Sequence, residues 1–270
     1  MLLVIERTDH YGSMNLVVDW GNSRLKAGWF DTTELVRTDH FGTAEAMLQA
    51  LTTPGSPQPD QVIVSSTSRS EASIRQELAR LTDTLYVFDN RMPVPIQNGY
   101  ETPQTLGADR LAAAVGATAL FPDRACLVLD LGTCLTADLV DDTGTFRGGL
   151  IAPGLHMRFQ AMHEHTARLP LIENPLADAD WPALTARTTR DALRSGVLNG
   201  LGFELNGLIG AHRDVWPDLA VLLCGGDGPV LRSRLKEPIF AVPELVLIGL
   251  NRILRHNVEN LRTGRPANWK

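Results

Sequence analysis

The sequence predicts an α/β fold of two related domains facing each other across a cleft that holds the ligand. Three observations carry this. Short apolar runs ending in turn residues alternate with amphipathic stretches, the pattern of strands layered with helices. A chain of 270 residues is long enough for two domains, each with its own core. A segment near the start also recurs in the middle: Leu16-Val17-Val18-Asp19-Trp20-Gly21-Asn22-Ser23 matches Leu127-Val128-Leu129-Asp130-Leu131-Gly132-Thr133-Cys134 as three apolar residues, Asp, apolar, Gly, polar. Two copies are too few for a solenoid, which needs about three or more stacked units, so the recurrence reads as an internal duplication. The expected domains are residues 15–121 and 122–262.

Taken in order, 16–19 reads as a strand, Gly21 to Ser23 as a tight turn and 25–30 as a returning strand. A helix over 43–51 leads through the Pro-rich loop 54–59 into a buried strand at 62–66. Ile74, Leu78 and Leu81 share one face of a helix over 70–81, and 85–88 supplies the next strand. After a loop rich in Pro, Asn and Gly comes an Ala-rich helix, 106–120, which Pro122 ends. The opening pattern then repeats from Cys126: strand, Gly132-Thr133, second apolar run, the turn 141–144 and a continuation from Phe146. Helices are expected over 155–168 and 189–216, the latter with Gly196, Gly200, Gly202, Gly207 and Gly210, which suggest close packing. A strand at 220–224 ends in Gly225-Gly226-Asp227-Gly228, and 244–255 forms a final amphipathic helix.

Hydrophobic residues at 44% and charged residues at 21% mark a globular chain, excluding disordered and fibrous classes. The formal net charge of −6 is spread without long runs of one sign, which argues against a nucleic-acid-binding surface. Acidity does not exclude nucleotides, because backbone N–H groups and helix N-termini bind anions without net positive charge. Cys126, Cys134 and Cys224 form no Cys-x-x-Cys pair and fit reduced thiols in a cytosol. The apolar run from Met1 to Ile5 is too short for a signal peptide or a membrane span, so no membrane anchor is expected. Residues 1–14 read as a loose extension and 263–270 as a polar tail.

An Asp at a strand end beside a Gly-containing turn can hold a hydrated divalent cation while the turn amides meet phosphate oxygens. Asp19 and Asp130 both sit this way. One such Asp is an ordinary turn residue; two in matched context carry more weight. Asn22, Ser23 and Lys26 add donors, with Lys26 available to a phosphate as a point charge.

The segment Asp19-Trp20-Gly21-Asn22-Ser23-Arg24-Leu25-Lys26 resembles the first phosphate motif of the type III pantothenate kinases, and Asp130-Leu131-Gly132-Thr133 resembles their second. Between them, Tyr100, Pro103 and Leu106-Gly107-Ala108-Asp109-Arg110 look like the family's substrate motif in the same order. Gly148-Gly149-x-Ile151-x-Pro153-Gly154, Leu169-Pro170, Thr189 with Ser195-Gly196, and Gly225-Gly226 continue the likeness, which spans 15–254. The resemblance implies two duplicated ribonuclease-H-like domains of the actin-like ATPase architecture. It implies Asp109 as general base for the pantothenate hydroxyl, Tyr100, Gly107, Ala108 and Arg110 as its binding residues, and Thr189 contacting it from the other side. It further implies that the Asp19–Lys26 segment and Thr133 cradle the phosphates of ATP with Mg²⁺, with Asp19 binding that Mg²⁺, and that Asp130 binds potassium or ammonium. Gly225-Gly226 would lie near the nucleoside. The resemblance also implies a homodimer whose pantothenate pocket is built from both chains.

Trp20 is bulky where this family has a smaller apolar residue, Ser23 stands where Thr is common, and Cys134 and Cys224 replace Ala or Thr. None of these removes a catalytic group, and Trp20 bears most directly on the shape of the nucleotide pocket. Read from the residues alone, Asp109 is equally a helix-start acid held by the macrodipole. His156, His163 and His165 do not share one helical face, so no zinc is assigned. No Walker-type loop, Gly-x-Ser-x-Gly or dinucleotide glycine fingerprint is present in the sequence. The rival readings are a sugar or N-acetylhexosamine kinase of the same architecture, against which Tyr100 and Gly107 to Arg110 speak, and a non-catalytic accessory protein, against which the intact acids speak.

Overall fold

A computed structural model describes residues 14–21, 25–53, 55–66, 71–82, 84–89, 91–175, 180–236 and 238–263. The chain divides into two compact units, Met1–Pro93 with Leu250–Lys270, and Val94–Gly249. The first contains β1 (Met14–Trp20), β2 (Leu25–Asp31), β3 (Glu34–Phe41), α1 (Ala44–Thr52), β4 (Gln61–Ser66), α2 (Glu71–Leu78) and β5 (Leu85–Phe88). Their sheet has the order β3-β2-β1-β4-β5. β1, β2 and β3 pair antiparallel, while β1–β4 and β4–β5 are parallel. Leu16, Val17 and Val18 are consecutive and each 0% exposed, as a continuous apolar run covered on both faces must be. Thr43 caps α1 by accepting a hydrogen bond from the Ala46 N–H at 3.2 Å, and Met47 and Leu51 of that helix pack into the core of Leu16, Val18, Val62 and Val64.

β3 is a strand that the apolar pattern does not predict. None of its residues is fully buried, and it carries Glu34, Arg37, Asp39 and His40 on the free edge of the sheet, where charge discourages pairing with another chain. Beside the turn that leads into it, Asn251 Nδ2 donates to the Thr32 carbonyl at 2.9 Å and accepts on Oδ1 from Asn15 Nδ2 at 3.0 Å. A buried amide pair thereby ties the start of β1 to the last helix of the chain.

The second unit contains β6 (Gln97–Asn98), α3 (Ala108–Leu120), β7 (Cys126–Leu131), β8 (Cys134–Val140), β9 (Thr145–Pro153), α4 (Leu155–Glu164), α5 (Thr189–Arg213), β10 (Ala220–Cys224), α6 (Gly228–Arg232), β11 (Phe240–Ala241) and the start of α7 (Leu245–Thr263). The sheet order is β11-β10-β7-β8-β9-β6. Without β6, this is the order of the first sheet with each strand replaced by its counterpart. The pairing senses also match, since β7, β8 and β9 are antiparallel while β7–β10 and β10–β11 are parallel. Each unit therefore has the ribonuclease-H-like sheet, and the duplication seen in the strand-end motifs extends to the whole topology. The compact units divide after Pro93 rather than after 121, because α3 packs on β7 and β8. α4 stops at Glu164, short of 168, and α6 is a five-residue turn of helix absent from the sequence pattern.

Within this unit α3 and α7 meet backbone to backbone. A Cβ added at Gly249 would overlap the Ala112 carbonyl oxygen, and one at Gly116 would overlap that of Leu245. Both obstacles are backbone and cannot swing aside. Gly249→Ala is therefore expected to destabilise the protein by about 3 kcal/mol, lowering Tm by roughly 6–12 °C. An unchanged melting curve would show that the two helices are not in this contact. No helix among the described residues is long and apolar enough to cross a membrane.

Candidate active site

In the first unit, Asp19 is the penultimate residue of β1 and half-buried, directly opposite Lys26 of β2 and beside Ser65 of β4 in the strand register. The carboxylate and the ammonium-bearing residue thus stand on one face of the hairpin that Gly21 opens. Trp20 and Leu25 are opposed at its end, and Trp20 packs against the hydrophobic core, so its bulk is partly absorbed by the unit itself. Asn22, Ser23 and Arg24 lie outside the described residues.

The second unit repeats the arrangement. Asp130 is penultimate in β7, half-buried, opposite Thr136 of β8 and beside Cys224 of β10. The following turn is closed by the Gly132 N–H donating to the Cys134 carbonyl at 3.1 Å, which leaves Thr133 exposed. Two further loops press on it. Gly225 has φ +83, where a side chain is strained, and a Cβ there would stand 2.5 Å from Asp130 Oδ1. Gly154, the residue before α4, touches the Gly132–Thr133 peptide so closely that a Cβ would overlap both carbonyl oxygens. The Asp227 N–H donates to the Leu131 carbonyl at 2.9 Å, completing the wall. A carboxylate, an exposed hydroxyl and glycine-lined backbone therefore converge at one strand end. That donor set suits a cation beside phosphate oxygens. Among the described residues no group of three or more His, Cys, Asp or Glu could hold a metal ion. A cation carried on a nucleotide needs only one or two carboxylates, because phosphates and water supply its other ligands.

Tyr100, Gly107, Ala108, Asp109 and Arg110 gather where β6 leads into α3. Gly107 precedes the helix, and Asp109 lies exposed in its first turn, Oδ1 accepting from the Arg110 N–H at 2.9 Å. Arg110 is the next residue, rotated by about 100° around the helix, and points inward with 7% of its surface exposed. Its Nε lies 3.1 and 3.0 Å from the two carboxylate oxygens of Asp138 on β8, and its Nη2 also donates to Oδ1. The Tyr100 ring lies 5.7 Å from the Arg110 guanidinium carbon and 6.0 Å from the Phe146 ring. Burial pushes the Asp138 carboxyl above its ordinary value, against the opposing pull of Arg110. For Arg110, burial alone would favour losing the proton, but the hydrogen bond and charge of Asp138 overcome it and hold the guanidinium above its usual value.

Asp138, the buried partner of Arg110, is not singled out by motif reading. Its signal in the sequence is a lone carboxylate inside the apolar strand Leu135-Thr136-Ala137-Asp138-Leu139-Val140, which asks for a buried partner. Thr189 opens α5 and is exposed, and the capping is done by its neighbour Thr188, which accepts from the Asp191 N–H at 3.1 Å. Among the described residues, no hydrogen bond or ion pair joins Thr189 to Asp109. Ser195 Oγ donates to the Leu184 carbonyl at 3.0 Å, a structural use. Of the three histidines, His163 Nδ1 lies 2.8 Å from the Leu169 carbonyl and exposed His156 stands 4.0 Å from Asp227. An open hollow of about 460 Å³ in the first unit, bordered by Tyr86, Arg91, Asn257 and Leu261, contains none of these site residues.

A family model described as type III pantothenate kinase matches residues 15–211. A type III pantothenate kinase from Cytophaga hutchinsonii is 41% identical over 246 residues, covering 91% of this chain and all (100%) of that protein. One from Phocaeicola vulgatus is 41% identical over 245 residues, covering 90% and 99%. Among solved structures, the activator of the 2-hydroxyisocaproyl-CoA dehydratase from Clostridium difficile, with bound ADPNP, matches at a TM-score of 0.54 and 10% identity, covering 95% of this chain and 100% of that one. That likeness is one of fold.

Proposed function

The chain belongs to the type III pantothenate kinase family, and on that premise we propose that it phosphorylates pantothenate with ATP, giving 4′-phosphopantothenate, the first step toward coenzyme A. The observation that carries the reading to particular residues is the split at the start of α3: Asp109 offers its carboxylate to solvent while Arg110, one residue on, is held under Tyr100. In-line phosphoryl transfer leaves a protein mainly positioning and charge neutralisation, with one group to take the proton of the attacking hydroxyl. Asp109 is that base. Tyr100, Gly107, Ala108, Arg110 and Thr189 hold pantothenate. The Asp19–Lys26 segment and Thr133 would receive the phosphates, and Asp19 would hold the Mg²⁺ of bound ATP, which would supply charge neutralisation. Asp130 holds potassium or ammonium. The enzyme is a cytoplasmic homodimer whose two chains share each pantothenate site.

ADP release from ATP, followed with and without pantothenate, tests the reading. Turnover is expected to require pantothenate and to rise when potassium or ammonium replaces sodium. Hydrolysis indifferent to pantothenate would overturn the function, and equal rates in sodium-only and potassium buffers would remove the role given to Asp130.

A further inference from the structure

Resting on that reading, we infer that Asp138 is a positioning residue for pantothenate: it fixes the plane of the Arg110 guanidinium under Tyr100. Asp138 is 1% exposed, and a carboxylate so placed is costly unless it is paired and hydrogen-bonded. Arg110 meets that need through its Nε and Nη2, the fork that matches a carboxylate in one plane. A buried ion pair is a poor device for stability, since apolar residues of equal volume serve as well or better. What it does supply is direction. With the Nε/Nη2 edge held by Asp138, the Nη1 side of the guanidinium is turned away from β8, and the carboxylate also draws Arg110 away from Asp109 in its own helix turn.

The strand facing Asp138 is shaped around this pair. Gly149 lies directly opposite Asp138 in the β8–β9 register, and a Cβ there would stand 2.5 Å from Asp138 Oδ1 and overlap the Ala137 carbonyl. Its neighbour Gly148, at φ +91, would bring a Cβ to 3.4 Å from the Tyr100 ring. The two glycines thus form a floor, one under the carboxylate and the other under the aromatic ring, leaving the Asp138–Arg110–Tyr100 stack no side chain to displace it. A single arrangement of guanidinium donors follows, suited to an oxygen-rich, anionic small substrate.

The test is steady-state kinetics on Asp138→Asn and Asp138→Glu, with pantothenate and ATP varied separately and melting curves recorded. Asn keeps the shape and removes the charge; Glu keeps the charge on a longer arm. For Asp138→Asn the KM for pantothenate is expected to rise roughly 10- to 100-fold while the KM for ATP stays within about twofold, with Asp138→Glu between Asn and wild type. A merely structural role would move both KM values and the melting temperature together, and that result overturns the inference. So does a pantothenate KM unchanged in Asp138→Asn. If Asn does not fold, the Glu variant carries the same comparison of the two KM values. Wild-type protein that turns over no pantothenate overturns the proposed function and this inference with it, whereas an active wild type with an unmoved Asp138→Asn overturns the inference alone.

Discussion

Asp109→Asn should lower kcat by roughly 10²–10⁴-fold, the usual loss when a general base is removed. Asn has the same shape, and its side-chain oxygen can still accept from the Arg110 N–H, now 2.9 Å from Asp109 Oδ1. The exposed side chain lies in the first turn of α3, so the stability change is limited to the charge–dipole contribution, about 0.3–1 kcal/mol. What the variant lacks is a site for the hydroxyl proton, which a base must reach at roughly 2.6–3.2 Å. Pantothenate should therefore still bind, measured by calorimetry, while single-turnover phosphoryl transfer collapses. Activity within a few-fold of wild type would return Asp109 to the plain role of a helix-start acid.

The parts of the molecule legible in the sequence are those where a local pattern and the tertiary need coincide. β1 and β7 are buried on both faces and end in an acid and a glycine, so the same short pattern marks the strand, its end and the matched position in the other unit. The matching order of the five shared strands in the two sheets follows from that duplication. β3 escapes because an edge strand has only half a reason to be apolar, and this one is charged on its free side. α7 continues to Thr263, beyond the expected 255, through a last stretch in which Val258 and Leu261 stand among polar residues and leave little apolar pattern to read. Asp138 escapes for a different reason: its partner is 28 residues away in sequence, and only the packing of α3 on β8 brings the two together. Motifs report residues that touch ligand. They are silent about a residue that acts by holding another.

Mixing two inactive chains should restore activity. Asp109→Asn and Thr189→Val, each expected to be nearly inactive alone, would on co-expression give about a quarter of the wild-type rate: half of randomly paired dimers are mixed, and each mixed dimer has one intact site of two. Thr189→Val is a clean partner because Thr188, not Thr189, caps α5. The helix itself supports a second copy. Thr189, Ala192, Gly196, Gly200, Phe203, Gly207 and Gly210 recur at spacings of three and four along one side of α5, and Phe203 is 63% exposed. A Cβ at Gly196, Gly200, Gly207 or Gly210 would meet nothing within 4 Å, so among the described residues no neighbour requires glycine there. Four such residues weaken an exposed helix by roughly 4 kcal/mol relative to alanine, a loss without return unless another backbone approaches the stripe. Small residues flanking one exposed phenylalanine allow that approach, as in close helix pairs related by a two-fold axis. A second copy seated on this stripe would bring Thr189, at its end, to the interface. Gly200→Leu, which fills the stripe without touching either site residue, should shift sedimentation toward monomer and lower activity in parallel. A monomer that still phosphorylates pantothenate, or verified mixed dimers that stay inactive, would mean that each chain builds its site alone.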